Sequence, residues 1–428
     1  MRILILFVLF LPTVAFSQSP LILSQRDQAA VMDDLLDDRL KNLLPQLMRR
    51  EHFDMWVIIS REYNEDPIIK TMLPATWMAA RRTTMLVIFD KGADRPTEYL
   101  AVARYDVGNT FKRAWDPDRQ PDQWAQLGKL IEERNPQKIG VNISAGFGHA
   151  DGISANDYEA FRQCLPRRLQ TSIVSAEPLG VAWLETRSEK EMVIYPQICR
   201  IAHEIIAEGF SDRVIQPGVT TTADVVWWYR ERIKALKLDT WFHPSVEIQR
   251  AGTDDSEIIR PGDLLHVDFG ITYLRLNTDT QQHAYVLRPG EKEAPEYLRA
   301  ALKQGNQLQD ILTGNFKAGL TGNQVLADSR KQAISQGITP SIYTHPIGYH
   351  GHAAGTNFGM WDKQNGVPVT GEYPMHLNTA YSIELNATVR VKEWNKDIRI
   401  MLEEDGYFDA TGFRYIDGRQ TELILIPR

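Results

Sequence analysis

Asp268 lies inside a strand-like apolar run, Leu264-Leu265-His266-Val267-Asp268-Phe269-Gly270, and the same anomaly recurs further on. Asp279, eleven residues later, opens a second strand pattern over 279–287. Glu384 interrupts Tyr381-Ser382-Ile383-Glu384-Leu385, and the run Ile398-Arg399-Ile400-Met401-Leu402 ends in Glu403-Glu404-Asp405. A carboxylate in such a run is costly unless a partner neutralises it. Before the last two acids comes a histidine-rich stretch, His345-Pro346-Ile347-Gly348-Tyr349-His350-Gly351-His352. Four carboxylates and one imidazole converging from strands make an oxygen-rich site with one nitrogen, which suits Mn, Co, Fe or Zn better than a soft metal. So many acids stay ionised together in a half-buried place only beside more than one cation. The pattern therefore argues for two divalent metal ions, manganese favoured, sharing bridging carboxylates.

The rest of the chain has to carry that site. Arg2, an apolar run from Ile3 to Phe16 too short to span a bilayer, and the small-residue exit Ala15-Phe16-Ser17 read as a signal peptide over 1–17. Export across the inner membrane to the periplasm is the expectation, with no stable membrane insertion after cleavage. The remaining chain is long enough for two domains. Over 18–184, a leucine stripe (Leu35, Leu36, Leu40, Leu43, Leu44, Leu47) predicts one amphipathic helix at 25–51. Strands at 55–60, 83–89, 98–102 and 139–144, with a helix at 122–134, predict a small α/β layer. Over 185–428, helices are expected at 189–210, with Pro196 starting or kinking it, and at 222–238, with Trp227-Trp228 packed on a sheet. Strands at 264–270, 279–287, 381–391, 398–405 and 421–427, with helices at 295–316 and 323–336, predict an α+β domain. The net charge of −7 is dispersed and points to neither nucleic acid nor an anionic membrane surface. Cys164 and Cys199 form no CxxC pair and read as separate thiols.

In order and setting, Asp268, Asp279, His345, Glu384 and Glu403 resemble the metal ligands of the pita-bread metallopeptidases, which include proline aminopeptidases, prolidases and methionine aminopeptidases. The stretch from His345 through Gly348 to His352 resembles the family's His-x-x-Gly-x-x-x-His pattern, and Arg187-x-x-x-Glu191 resembles the start of its linker helix. The resemblance covers 187–428. It implies a pita-bread catalytic domain, and the preceding residues resemble a creatinase-type amino-terminal domain in size and layout. It also implies that His345 is a ligand, that His352 faces substrate, and that Glu403 rather than Glu404 is the last ligand. The partners it implies are small peptides and, as in many members, a second copy forming a homodimer.

The resemblance further implies a metal-dependent exopeptidase of the Xaa-Pro aminopeptidase or prolidase kind. In that reading a metal-bridging water attacks the N-terminal peptide bond, Glu384 or Glu403 takes its proton, and His352 hydrogen-bonds the substrate. Departures surround the ligand set. No histidine aligns near Val246-Glu247-Ile248-Gln249-Arg250, where the family carries one, although His243 lies a little earlier. Ser341, Ala353, Leu385 and Met401 stand where a histidine, an acid, a proline and an arginine are usual. They leave open a binding protein that kept the fold without turnover, or a creatinase-like C–N hydrolase.

Overall fold

The leucine stripe folds as expected, with one irregularity. In the computed structural model, which describes residues 22–427, the helix runs Gln25–Asp38, widens into a π-helical turn at Arg39–Leu43 and continues as Leu44–Arg50. Ser24 caps it by accepting from the Asp27 amide. The 1–17 segment read as a signal peptide lies outside the described residues.

The sheet next along the chain contains β1 (Met55–Arg61), β2 (Thr83–Phe89), β3 (Glu98–Val102), β4 (Lys112–Arg113), β5 (Ile139–Val141) and β6 (Ile173–Ser175), in the order β4-β3-β2-β1-β5-β6. β1 is apolar at nearly every position because both faces are covered. Met55, Val57 and Ile59 pack towards Leu127, Ile131 and Phe161, whereas Trp56 and Ile58 pack towards Leu40, Leu44, Ile68 and Leu179. The period of two puts alternate side chains into separate cores.

Ser188 and Glu191 then form a capping box at the start of the helix Glu189–Gly209. Pro196 lies inside this helix instead of starting it, because the cap has already fixed the first turn seven residues earlier. The next helix, Thr222–Ala235, also opens on a capping box, Thr221 with Asp224. Its Trp228 is partly buried, but Trp227 is exposed and meets His243 edge-on, so only one of the pair packs inward.

The strands of the second half are β7 (Ser245–Gln249), β8 (Leu264–Phe269), β9 (Thr272–Tyr273), β10 (Leu276–Asn277), β11 (Thr280–Val286), β12 (Thr339–Ile342), β13 (His345–Pro346), β14 (Thr379–Ser382), β15 (Leu385–Val391), β16 (Lys396–Leu402), β17 (Asp405–Asp409), β18 (Gly412–Tyr415) and β19 (Ile424–Ile426). They form sheets ordered β19-β11-β8-β7, β12-β15-β16 and β13-β14-β17-β18, plus the β9–β10 hairpin. The helices Glu296–Gly314 and Gly322–Ser335 share a core with β15 and β16.

Two expected strands are each broken. The run over 381–391 divides between β14 and β15, and the run over 398–405 divides between β16 and β17. β15 pairs with β16 in one sheet and β14 with β17 in another, so the chain crosses between sheets twice at the same level. Glu384 and Glu403 stand in these crossings, outside the ladders. There a side chain can leave the sheet plane without displacing an apolar neighbour.

Candidate metal centre

Glu384 and Glu403 are brought together by the backbone around the seam. The Ile383 amide donates to the Glu404 carbonyl at 3.0 Å, locking the two crossings to each other. The Glu384 carbonyl accepts from the Tyr343 amide at 3.1 Å and the Thr344 hydroxyl at 3.0 Å, which delivers His345 to the same place. From the other side, Gln281 exchanges backbone bonds with Glu403 at 3.0 and 3.2 Å and so docks β11 on the seam. β8 and β11 are antiparallel with Asp268 opposite Gln281, which places Asp268 beside Asp279 and the rest.

All five expected ligands converge. Ligand atoms of Asp268, Asp279 and Glu403 lie within 4.8 Å of one another, as do those of His345, Glu384 and Glu403, and those of Asp279, His345 and His352. Glu403 belongs to the first two groups. Asp279, His345 and Glu403 are buried, Asp268 and Glu384 half-buried, and His352 exposed. Glu404, one residue on, faces away: its carboxylate takes His203 Nε2 at 2.7 Å, Gln282 Nε2 at 2.9 Å and the Gln420 amide at 3.0 Å.

The cluster fits a divalent cation. His345 Nδ1 donates to the Pro346 carbonyl at 2.9 Å, which turns Nε2 toward the acids. That Nε2 has no hydrogen-bond partner and lies 3.6 Å from Asp279 Oδ2, 3.7 Å from Glu403 Oε1 and 3.9 Å from Glu384 Oε2. These distances are too long for hydrogen bonds, and a lone pair aimed at carboxylate oxygens is repulsive unless a cation lies between. Asp268 Oδ1 is likewise buried without a partner. Burial, and then the Glu403 carboxylate, pushes Asp268, Asp279 and Glu384 well above the ordinary carboxylate range. A bound cation would reverse that direction by favouring the ionised forms.

Two supporting residues go beyond the ligand set expected from the sequence. Gln281 donates its amide hydrogens to Glu384 Oε1 at 2.6 Å and Glu403 Oε2 at 2.7 Å, and its own oxygen accepts from His266 Nε2 at 2.9 Å. Burial and the nearby His283 hold His266 down to about 3, so it stays a neutral donor. Ser382 donates to the other oxygen of Glu403. Gln281 carried a signal: it stands two residues after Asp279, on the same face of the strand.

His352 rests edge-on between His345 (centroids 4.8 Å) and Trp241 (5.0 Å). Gly351 must be small there, since a Cβ would come within 2.3 Å of the Trp241 ring. His243 does not join the site: it is exposed, with Nδ1 3.0 Å from Arg230 Nη1.

Residues 196–404 match the profile of metallopeptidase family M24. No curated protein matches the sequence. Among solved structures, the chain is similar to an X-Pro aminopeptidase from Thermotoga maritima, at 14% identity and TM-score 0.62 over 90% of this chain and 100% of that one. It is also similar to a putative aminopeptidase P from Bacillus anthracis, at 11% and 0.61 over 91% and 96%. A third likeness is the N-terminal domain of the FACT complex subunit SPT16 from Eremothecium gossypii, at 12% and 0.55 over 94% and 98%. At these identities the structural likeness shows the pita-bread fold alone.

Proposed function

With its second half carrying a domain of metallopeptidase family M24, we propose that this protein is an exopeptidase, dependent on divalent metal, that releases the N-terminal residue of small peptides. Xaa-Pro peptides are the first substrates to try. One observation carries the reading: His345 Nε2 is unpartnered among three carboxylate oxygens, in a cluster where two of the three ligand groups share Glu403. Asp268, Asp279 and Glu403 would hold one cation, and His345, Glu384 and Glu403 a second, with manganese favoured among the metals that oxygen-rich sites take. When bound, such ions polarise a carbonyl and make water nucleophilic at neutral pH.

The chain's own residues do the remaining work. Gln281 and Ser382 hold both oxygens of Glu403, so this carboxylate is oriented before substrate arrives. Glu384 is held at Oε1 only and turns Oε2 into the cluster, where it can accept the proton of an attacking water. His352 is exposed beside the cluster and can donate to the scissile carbonyl or to the tetrahedral oxyanion that replaces it. The acids also attract a free amino terminus, which restricts cleavage to the end of a chain. We also propose export, supported by the apolar run that comes after Arg2.

A second reading, a binding protein without turnover, is favoured by the position of His243, which points to Arg230 and supplies no histidine at this wall of the site. Hydrolysis of an Xaa-Pro peptide panel, titrated with Mn, Co and Zn, separates the two. Cleavage that depends on metal and disappears in Asp268→Asn and Asp279→Asn supports the exopeptidase. Stoichiometric metal binding with no cleavage of any peptide leaves only the binding protein.

A further inference from the structure

A cavity of about 40 Å³ lies where the first helix, the start of the helix Glu189–Gly209 and the β9–β10 hairpin meet. Its charged lining residues are Arg39, Arg187, Arg275 and Glu191, three cations against one anion. Leu36, Leu184, Leu274 and Leu276 give it apolar walls. One water needs roughly 10–15 Å³ by this measure, so the cavity has room for a small ion or a few waters.

Both oxygens of Glu191 are already taken. Oε2 accepts from Arg39 Nη1 at 2.6 Å and from the Ser188 amide at 2.7 Å, and Oε1 accepts from Arg187 Nη1 at 3.2 Å. The further bonds of the two arginines go to neutral carbonyls: Arg39 Nη1 to Thr186 at 2.8 Å and Nη2 to Trp183, and Arg187 Nη2 to Leu184. Arg187 is only 3% exposed, and among the described residues its Nε has no hydrogen-bond partner. A buried donor on a charged group is costly to leave unmet.

Arg275 reaches the cavity from a strained turn. Leu274 and Arg275 form the two-residue loop of the β9–β10 hairpin, with φ of 53° and 66°. Such loops need left-handed residues to match the twist of their strands and usually use Asn or Gly. Strain of this kind persists where surrounding structure over-determines it. Here Leu274 is buried in the core, the Asn277 amide donates to the Gly348 carbonyl at 2.8 Å, and Arg275 Nη1 donates to the Leu73 carbonyl at 2.7 Å. A carbonyl satisfies a donor but leaves the charge unopposed.

We propose that this cavity binds a small halide ion, chloride in ordinary solution, at the Nε edge of Arg187. A halide accepts the unmet N–H, and with it the two guanidinium groups that share Glu191 are matched charge for charge. Water would satisfy the donor without opposing the charge. Guanidinium is weakly hydrated, which favours pairing it with an ion of this kind between apolar walls. Gly348 rests on the same guanidinium, since a Cβ there would come within 2.8 Å of Arg187 Cζ. An ion that fixes Arg187 therefore steadies the loop that runs from His345 to His352. The site is independent of the exopeptidase reading.

Thermal unfolding of the full-length protein tests it, with chloride replacing gluconate, which is too bulky for the cavity, at constant ionic strength. Tm should rise along a saturable curve, by about 2 °C once chloride stands tenfold above its Kd. Arg187→Gln should abolish the rise. Because that change also breaks the pair with Glu191, a second reading uses the unaltered protein: crystals soaked in bromide should give an anomalous-scattering peak beside Arg187 Nε. A rise that is linear in chloride, an equal rise in Arg187→Gln, or no bromide peak in the cavity overturns the proposal.

Discussion

His203 holds Glu404 from behind the metal cluster, its Nε2 on Glu404 and its Nδ1 3.1 Å from Asp417 Oδ2. Burial pulls its pKa down, but the two carboxylates outweigh burial and raise it from 6.5 to about 10. The folded state therefore binds the proton more tightly than the unfolded state. The stabilisation is fully present below pH 6.5 and is lost as pH rises towards 10. Unfolding titrations across that window should show the parent protein losing stability relative to His203→Gln, with the two curves parallel below pH 6. Parallel curves throughout would mean that the pair makes no net contribution. The same residue-scale logic separates the two adjacent glutamates. Each is buried and held by protein donors, but the donors of Glu404 are His203, Gln282 and the Gln420 amide, away from the cluster, whereas Glu403 also faces the unpartnered His345 nitrogen.

Strand breaks and loops, more than strands, shape the site. The crossings at Ile383-Glu384 and Glu403-Glu404 turn two glutamates to one point, and the loop after His345 lays His352 against Trp241. In that loop Gly351→Ala would push a methyl into the indole, whose Nε1 is anchored to the Thr278 carbonyl at 3.0 Å. The backbone must shift, taking His352 with it. Thermal or denaturant unfolding should record a loss of about 1–3 kcal/mol. Peptidase activity should fall by more than about tenfold, because misplacement by an ångström is felt strongly in catalysis. A variant that folds and turns over normally would remove the Trp241–His352 wall from the working site.

Across the whole molecule, one buried ion cluster joins the first helix to the second half. Arg39 Nη1, in the π-helical turn, donates to Glu191 Oε2 at 2.6 Å and to the Thr186 carbonyl at 2.8 Å, and Arg187 Nη1 reaches Glu191 Oε1 at 3.2 Å. Burial lowers the Arg39 pKa to about 10, the direction expected for a charge taken out of water. Burial alone would raise the pKa of Glu191, but Arg187 and Arg39 outweigh it and hold it below the usual carboxylate range. Glu191→Ala leaves two guanidinium groups buried without their partner and also removes half of the capping box. Denaturant unfolding should show a loss of about 3–5 kcal/mol. A loss below about 1 kcal/mol would mean that water reaches the arginines and that the cluster is not what joins the two halves.

Much of this was written locally. The two-faced period of β1 and the cost of acids in apolar runs depend on neighbours within a few residues, so the sequence by itself determined many of the element types, the four acids and the histidine that meet in the cluster, and the pita-bread fold that their order implied. Local patterns cannot report where a chain changes sheets, so 381–391 and 398–405 read as whole strands although each is broken at its glutamate. Likewise nothing near Trp227 showed that only Trp228 would face inward. Tertiary structure alone decided that Gln281 bridges two carboxylates, and that Arg39, Arg187 and Arg275 line one cavity. Packing and strand pairing across long separations put them there, and in the Leu274-Arg275 turn the twist of the hairpin overrode the backbone preference of both residues.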